Sequence, residues 1–107
     1  MSALKINSVE FAKALADETR QKIMAICCCQ WCSVSELTER LEVAQPTVSH
    51  HLAILRDAGL VNLRKNGKQT FYTLNQDRVA FCCGQLMVKF APETQTMAGV
   101  RVPTSEV

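Results

Sequence analysis

The sequence predicts a mainly α fold carrying one β-hairpin. Three observations point to it. Apolar residues recur at helical spacing between residues 8 and 58 and again over 76–90. Residues able to cap a helix, Ser8, Asp17, Ser33 and Asn75, stand at the start of four of these stretches. Between residues 60 and 74 the pattern changes to two short runs, the second rich in Thr, Phe and Tyr. Asn66-Gly67, a strong two-residue hairpin signal, separates them.

Ser8 caps a short helix with apolar positions Phe11, Ala12, Leu15 and Ala16. Asp17 caps a second, expected to run to about Cys29, with Ile23, Ile26 and Cys27 on one face. Ser33-Val34-Ser35-Glu36 is a capping box, so a third helix is expected over 34–42, with Leu37 and Leu41 inward. Pro46 suits the first helical position of a fourth helix, 46–58, because the N–H it lacks has no helical partner there. Val48, Leu52 and Leu55 form its inner face, and Gly59 is its natural stop. Helices 34–42 and 46–58 therefore meet at a tight turn, a helix-turn-helix. The hairpin that follows, 60–65 and 68–74, is then a wing, and the fold is a winged helix-turn-helix. Asn75 caps a last helix, 76–90, whose stripe is Val79, Cys82, Cys83, Leu86, Met87 and Phe90. Pro92 ends it. One domain, 1–92, is expected, followed by a polar tail, 93–107, without periodicity and expected to be disordered.

A chain of 107 residues suffices for one domain, and 48% hydrophobic residues fit a globular one. A domain this short buries a modest share of its surface, so a second copy would support it. Residues 1–7 show no apolar core followed by a cleavage site, and no apolar run approaches the roughly 20 residues of a membrane span. A cytoplasmic location with no membrane partner is the expectation, and there thiols stay mostly reduced. Net charge is only +2, so distribution matters more than total. Between residues 56 and 68, Arg56, Arg64, Lys65 and Lys68 face a single acid, Asp57. The positive charge is local to the wing and the helix before it.

That placement has a chemical consequence. Gln45, Thr47, Ser49 and His50 lie on or near the open side of helix 46–58. Gln can bond adenine bidentately, Thr can touch the thymine methyl, and Ser or His can bond base edges or phosphate. Arg56, Arg64, Lys65 and Lys68 can neutralise phosphates. Asn66 and Gly67 let the wing tip come close to a backbone. Each polar position alone is ordinary solvated surface, but the set beside a basic hairpin describes a duplex-binding face. His51 is expected at the edge of the core. It points about 100° away from His50, so the two do not chelate one ion together.

The run Leu15-Ala16-Asp17-Glu18-Thr19-Arg20, then Gln45 to Leu52, Leu55-Arg56, Ala58 to Val61, and Gly67-Lys68-Gln69 with Tyr72 resemble the ArsR/SmtB family of metal- and thiol-responsive bacterial repressors. The resemblance spans residues 8–90. It implies a homodimer through the first and last helices. It also implies binding to pseudo-palindromic operator DNA and release on binding an inducer. Positions 45, 47, 49 and 50 match the family's recognition-helix readers.

Six cysteines cluster as Cys27-Cys28-Cys29, Cys32 and Cys82-Cys83, a poor disulfide framework and a better thiolate ligand set. Cys29 and Cys32 have C-x-x-C spacing. If the last helix lies near helix 17–29 or near its dimer mate, distant thiols converge. Three or four such thiolates select soft ions: arsenite first, or Cd, Pb or Zn, as inducer. The chain departs from two familiar patterns of the family. Helix 34–42 has no Cys-x-Cys, and the last helix has no Asp/His set. Cysteines in helix 17–29 and in the last helix also resemble members that sense sulfane sulfur or oxidants. Thiol or persulfide sensing is thus the alternative, and cysteines as small core hydrophobes the third reading. Cys27 to Cys29 near a helix C-terminus are not expected to be acidic thiols; Cys32, just before the Ser33 cap, is the most thiolate-prone. No catalytic triad or phosphate loop is present, so an enzyme is not expected. A metal store without DNA binding and a winged helix that binds only protein are the remaining rivals.

Overall fold

The computed structural model describes residues 8–94. The elements are α1 (Ser8–Leu15), α2 (Glu18–Ile26), β1 (Cys32–Ser33), α3 (Val34–Leu41), α4 (Gln45–Asp57), β2 (Val61–Asn66), β3 (Gln69–Leu74) and α5 (Gln76–Phe90). The mainly α architecture with a hairpin wing is the one expected. The 93–107 tail falls, beyond Thr94, outside the described residues.

Three of the four start signals act as anticipated, while Ser8 is instead the first residue of α1. The Asp17 carboxylate accepts from the Arg20 amide at 3.0 Å. At α3 both halves of the capping box form: Ser33 Oγ accepts from the Glu36 amide at 3.1 Å, and Glu36 Oε1 accepts from the Ser33 amide at 2.8 Å. Asn75 Oδ1 caps α5 through the Arg78 amide. The end of α4 is a Schellman motif. Gly59 has φ +76°, the Leu60 amide donates to Leu55 O at 2.9 Å and the Gly59 amide to Arg56 O at 2.9 Å. That reversal delivers Leu60 into the core.

Three details differ from the sequence reading. Helix α2 stops at Ile26, with Cys27 as its C-cap, so Cys28 and Cys29 lie in a turn and not on a helical face. The wing turn is shifted by one residue. Asn66 pairs with Gln69, leaving Gly67 and Lys68 as the two loop residues. Gly67, at φ +70°, takes the first loop position, which demands a positive φ in the primed turns that match strand twist. Finally, a two-residue strand, β1, adds to the hairpin and gives a three-stranded antiparallel sheet ordered β1-β3-β2. Cys32 faces Tyr72 and Ser33 faces Phe71. Two residues are too few for an alternation signal.

The core is one cluster. Phe11 and Ala14 of α1, Ile23 and Met24 of α2, Leu37 of α3, and Val48, Leu52 and Leu55 of α4 meet Leu60, Val61, Cys27, Cys32 and Cys82. The anchored inner face of α4 leaves its opposite face outward, beside the wing. No helix among the described residues is long and apolar enough to cross a membrane.

Candidate nucleic-acid interface and thiol pairs

Helix α4 sets the geometry. Pro46 stands in its first turn, and the Ala44 carbonyl accepts from the amides of Thr47 and Val48 at 3.0 and 3.1 Å. With Val48, Leu52 and Leu55 buried, Gln45, Thr47, Ser49 and His50 are all exposed. Next to them, residues of the α3 start, the first turn of α4 and the wing enclose an open polar cleft of about 230 Å³. Its walls include Ser35, Gln45, Lys68 and Thr70. Sequence reasoning had singled out Gln45 and Lys68, but not Ser35 or Thr70, which come together only through β1–β3 pairing.

The four basic residues are exposed but differ in surroundings. Arg56 bonds the Asp57 carboxylate at 3.2 and 3.3 Å, which offsets part of its charge. The Arg64 guanidinium lies 4.2 Å from the ring centre of Trp31, a cation–π contact that holds it over the sheet. Lys65 sits opposite Thr70 on β2, and Lys68 occupies the turn itself. Trp31 was a residue without an assigned role; its stacking needs the sheet, which the sequence alone did not disclose.

The thiols fall into pairs and not into one site. Among the described residues no three His, Cys, Asp or Glu side chains are placed to hold one ion. Cys27 and Cys32 are buried together in the core. Burial, with the neighbouring Cys32 thiol adding to it, pushes the Cys27 thiol up to about 12. Cys32, expected to be the most thiolate-prone, is a buried residue of β1 that faces the core. Cys28 and Cys29 lie at the surface with their sulfurs 2.7 Å apart. The hydrogen bond with Cys29 raises the Cys28 thiol above its ordinary range. On α5, Cys82 is buried and Cys83 exposed, and burial raises the Cys82 thiol.

The turn holding Cys28 and Cys29 is tied to its neighbours through the carbonyls that end α2. Cys27 O accepts from the Leu74 amide at 3.0 Å and from Thr73 Oγ1 at 3.2 Å. Cys28 O accepts from Gln76 Nε2 at 2.6 Å. The end of α2 is therefore bonded to the root of the wing and to the first residue of α5. Across the molecule, Val9, Ala12, Ala16, Leu86 and Phe90 line an apolar groove of about 390 Å³ between α1 and α5. Val9, Val88 and Phe90 are 59%, 64% and 74% exposed, a high fraction for large apolar side chains.

Residues 17–62 match the family model described as "Bacterial regulatory protein, arsR family". The chain is 44% identical over 72 residues to the "Transcriptional activator HlyU" of Vibrio cholerae serotype O1, covering 67% of each chain. It is 38% identical over 65 residues to the "Arsenical resistance operon repressor" of Staphylococcus xylosus, covering 61% of this chain and 62% of that one. The solved structure "Reduced HlyU from Vibrio cholerae N16961" superposes with a TM-score of 0.63 at 39% identity, covering 78% of this chain and 87% of the other.

Proposed function

Because the chain belongs to the ArsR family of bacterial regulatory proteins, we propose that it is a homodimeric cytoplasmic repressor that leaves its operator when a soft thiophile binds its cysteines. The observation that carries this is the outward face of α4 beside a basic wing. Gln45, Thr47, Ser49 and His50 read base edges in the major groove, and Arg56, Arg64, Lys65 and Lys68 contact phosphates. A second copy of the chain covers the apolar groove between α1 and α5. Its burial of Val9 and Phe90 at about 25 cal/mol per Å² drives the pairing. Two recognition helices then meet half-sites about 34 Å apart, one turn of the duplex.

For the inducer, the donor chemistry favours arsenite. A tetrahedral zinc site needs four protein ligands, and one protomer offers no such group among its described residues. Cadmium and lead call for three or four thiolates, and no three stand together in one protomer among the described residues. The exposed Cys28–Cys29 pair suits a ligand that needs two sulfurs. Arsenous acid forms two As–S bonds there with release of two waters, and no electron changes hands. The 27–29 turn must open slightly to take it. Its carbonyls hold Leu74 and Gln76, so the wing root and α5 feel the change. An allosteric coupling of about 1–3 kcal/mol is enough for release.

The same sulfur contact supports a second reading, in which a persulfide or peroxide oxidises the pair to a disulfide. The experiment separates them. The reduced chain first selects a duplex from a randomised pool. Operator affinity is then followed during titration with arsenite, cadmium, zinc, and a persulfide donor. Arsenite release that is lost in Cys28→Ser and Cys29→Ser supports the first reading, and release by the persulfide donor alone supports the second. Release that survives in both variants removes this pair from the mechanism, and failure to select any duplex removes the repressor itself.

A further inference from the structure

The Leu15-to-Arg20 segment was prominent in the sequence, yet neither the DNA face nor the thiols account for it. Its last residue makes the densest polar junction among the described residues. The Arg20 guanidinium donates to Ala14 O at 2.8 Å and Lys13 O at 3.1 Å, the carbonyl end of α1. Its third arm meets His51 Nδ1 of α4 at 3.0 Å. A guanidinium can only donate. His51 Nδ1 must therefore accept, and the ring proton sits on Nε2. That nitrogen faces the Asp17 carboxylate at 3.7 Å, while the same carboxylate caps α2 through the Arg20 amide. Three helices are joined through one side chain.

We propose that Arg20 is the positioning residue for the DNA-reading helix, fixing the tilt of α4 against α1 through the Arg20–His51 hydrogen bond. This rests on the reading of α4 as the base-reading element. The geometry gives the reason. Thr47 and His51 are four residues apart and share one row of the helix, so the anchor and a proposed reader lie on the same stripe. Gln45 lies six residues, about 9 Å of helix rise, from the anchor. A tilt of roughly 10° about His51 shifts it by about 1.5 Å, more than a bidentate base contact tolerates. Apolar packing by Val48, Leu52 and Leu55 holds α4 down, but it is non-directional. The planar fork is directional, and it ties α4 to the helix that lines the proposed dimer groove. A lysine, with one nitrogen and no planar fork, does not reproduce the three-way contact.

Binding of the 107-residue chain is measured on two duplexes: one selected by the wild type from a randomised pool, and one of random sequence. The variants are Arg20→Lys, His51→Leu and His51→Asn, each assayed below its own melting temperature. Asn places an oxygen where Nδ1 stands, so it keeps the acceptor. Arg20→Lys and His51→Leu should lose about tenfold or more on the selected duplex, the worth of one base contact. Their affinity for the random duplex and their salt dependence should stay as in the wild type, and His51→Asn should bind nearly normally. A silent Arg20→Lys, equal losses on both duplexes, or His51→Asn as poor as His51→Leu overturns the proposal. A wild type that selects no duplex overturns instead the reading of α4 on which it rests.

Discussion

Replacing Lys68 by Gln should flatten the salt dependence of DNA binding by a calculable amount. Lys68 is a loop residue of the wing turn, exposed, and on the wall of the cleft that also holds Gln45. On the proposed DNA-bound homodimer its removal deletes one phosphate contact per protomer, hence two in a dimer. Each contact contributes about 0.9 to the slope of log affinity against log salt, so the slope should shrink by about 1.8. Between 50 and 200 mM salt that is a roughly 12-fold smaller loss of affinity than the wild type suffers. Arg56→Gln should shrink the slope less, because Asp57 already offsets its charge at 3.2 Å. Fluorescence anisotropy of a labelled duplex at four or five salt concentrations gives the slopes. Preference between duplexes should not change, since phosphate contacts carry no base information. An unchanged slope in Lys68→Gln would refute the placement of the wing against the DNA backbone, whatever happened to the affinity.

Other expectations concern the scaffold. Leu52→Ala, at a site 1% exposed, should cost about 2–5 kcal/mol in urea unfolding at fixed protein concentration; a cost under about 1 kcal/mol would contradict that burial. Glu42 ends α3 with φ +57°, a left-handed conformation in a residue that has a Cβ, so Glu42→Gly should raise stability by about 1 kcal/mol in the same assay. A loss there would show that the Glu42 side chain holds the turn. Asp17 is held below its ordinary value of 3.8, chiefly by the Arg20 amide. A lowered carboxyl stabilises the fold above its unfolded value and loses that effect as pH falls through the folded one. Asp17→Asn should keep the cap and show a shallower loss of stability on acidification below about pH 4.

The helices were legible because their signals are local. Ser33 and Glu36 are three residues apart, and the box they form involves nothing outside that turn. The same holds for Asn75 at the start of α5 and Gly59 at the end of α4. The wing was legible as a hairpin but not in its register. Asn66-Gly67 and Gly67-Lys68 both offer a loop with Gly at a positive φ. What decides is the pairing of Asn66 with Gln69, which depends on Val61 facing Leu74 at the far end. Strand β1 was invisible for a related reason. Cys32 and Ser33 become a strand only because β3 presents Tyr72 and Phe71 to them.

The thiols show where local reasoning stops. Extending α2 to Cys29 places its last three cysteines on three helical faces, about 100° apart, and predicts that few can cooperate. The helix instead ends one residue before Cys27, and no Gly, Asn or Pro announces that end. The carbonyls of Cys27 and Cys28, which a longer helix would offer to its own next turn, are taken instead by Leu74, Thr73 and Gln76, residues more than 40 positions away. In the turn that these long-range bonds anchor, the sulfurs of Cys28 and Cys29 lie 2.7 Å apart and Cys27 sits beside Cys32 in the core. A thiol pair in a turn anchored by tertiary bonds should be sensitive to them. Gln76→Ala, which removes the bond to Cys28 O but no thiol, should therefore weaken the response to arsenite several-fold while leaving operator affinity near normal. Equal responses in Gln76→Ala and the wild type would mean that the turn holds its sulfurs together unaided and that α5 is not its listener.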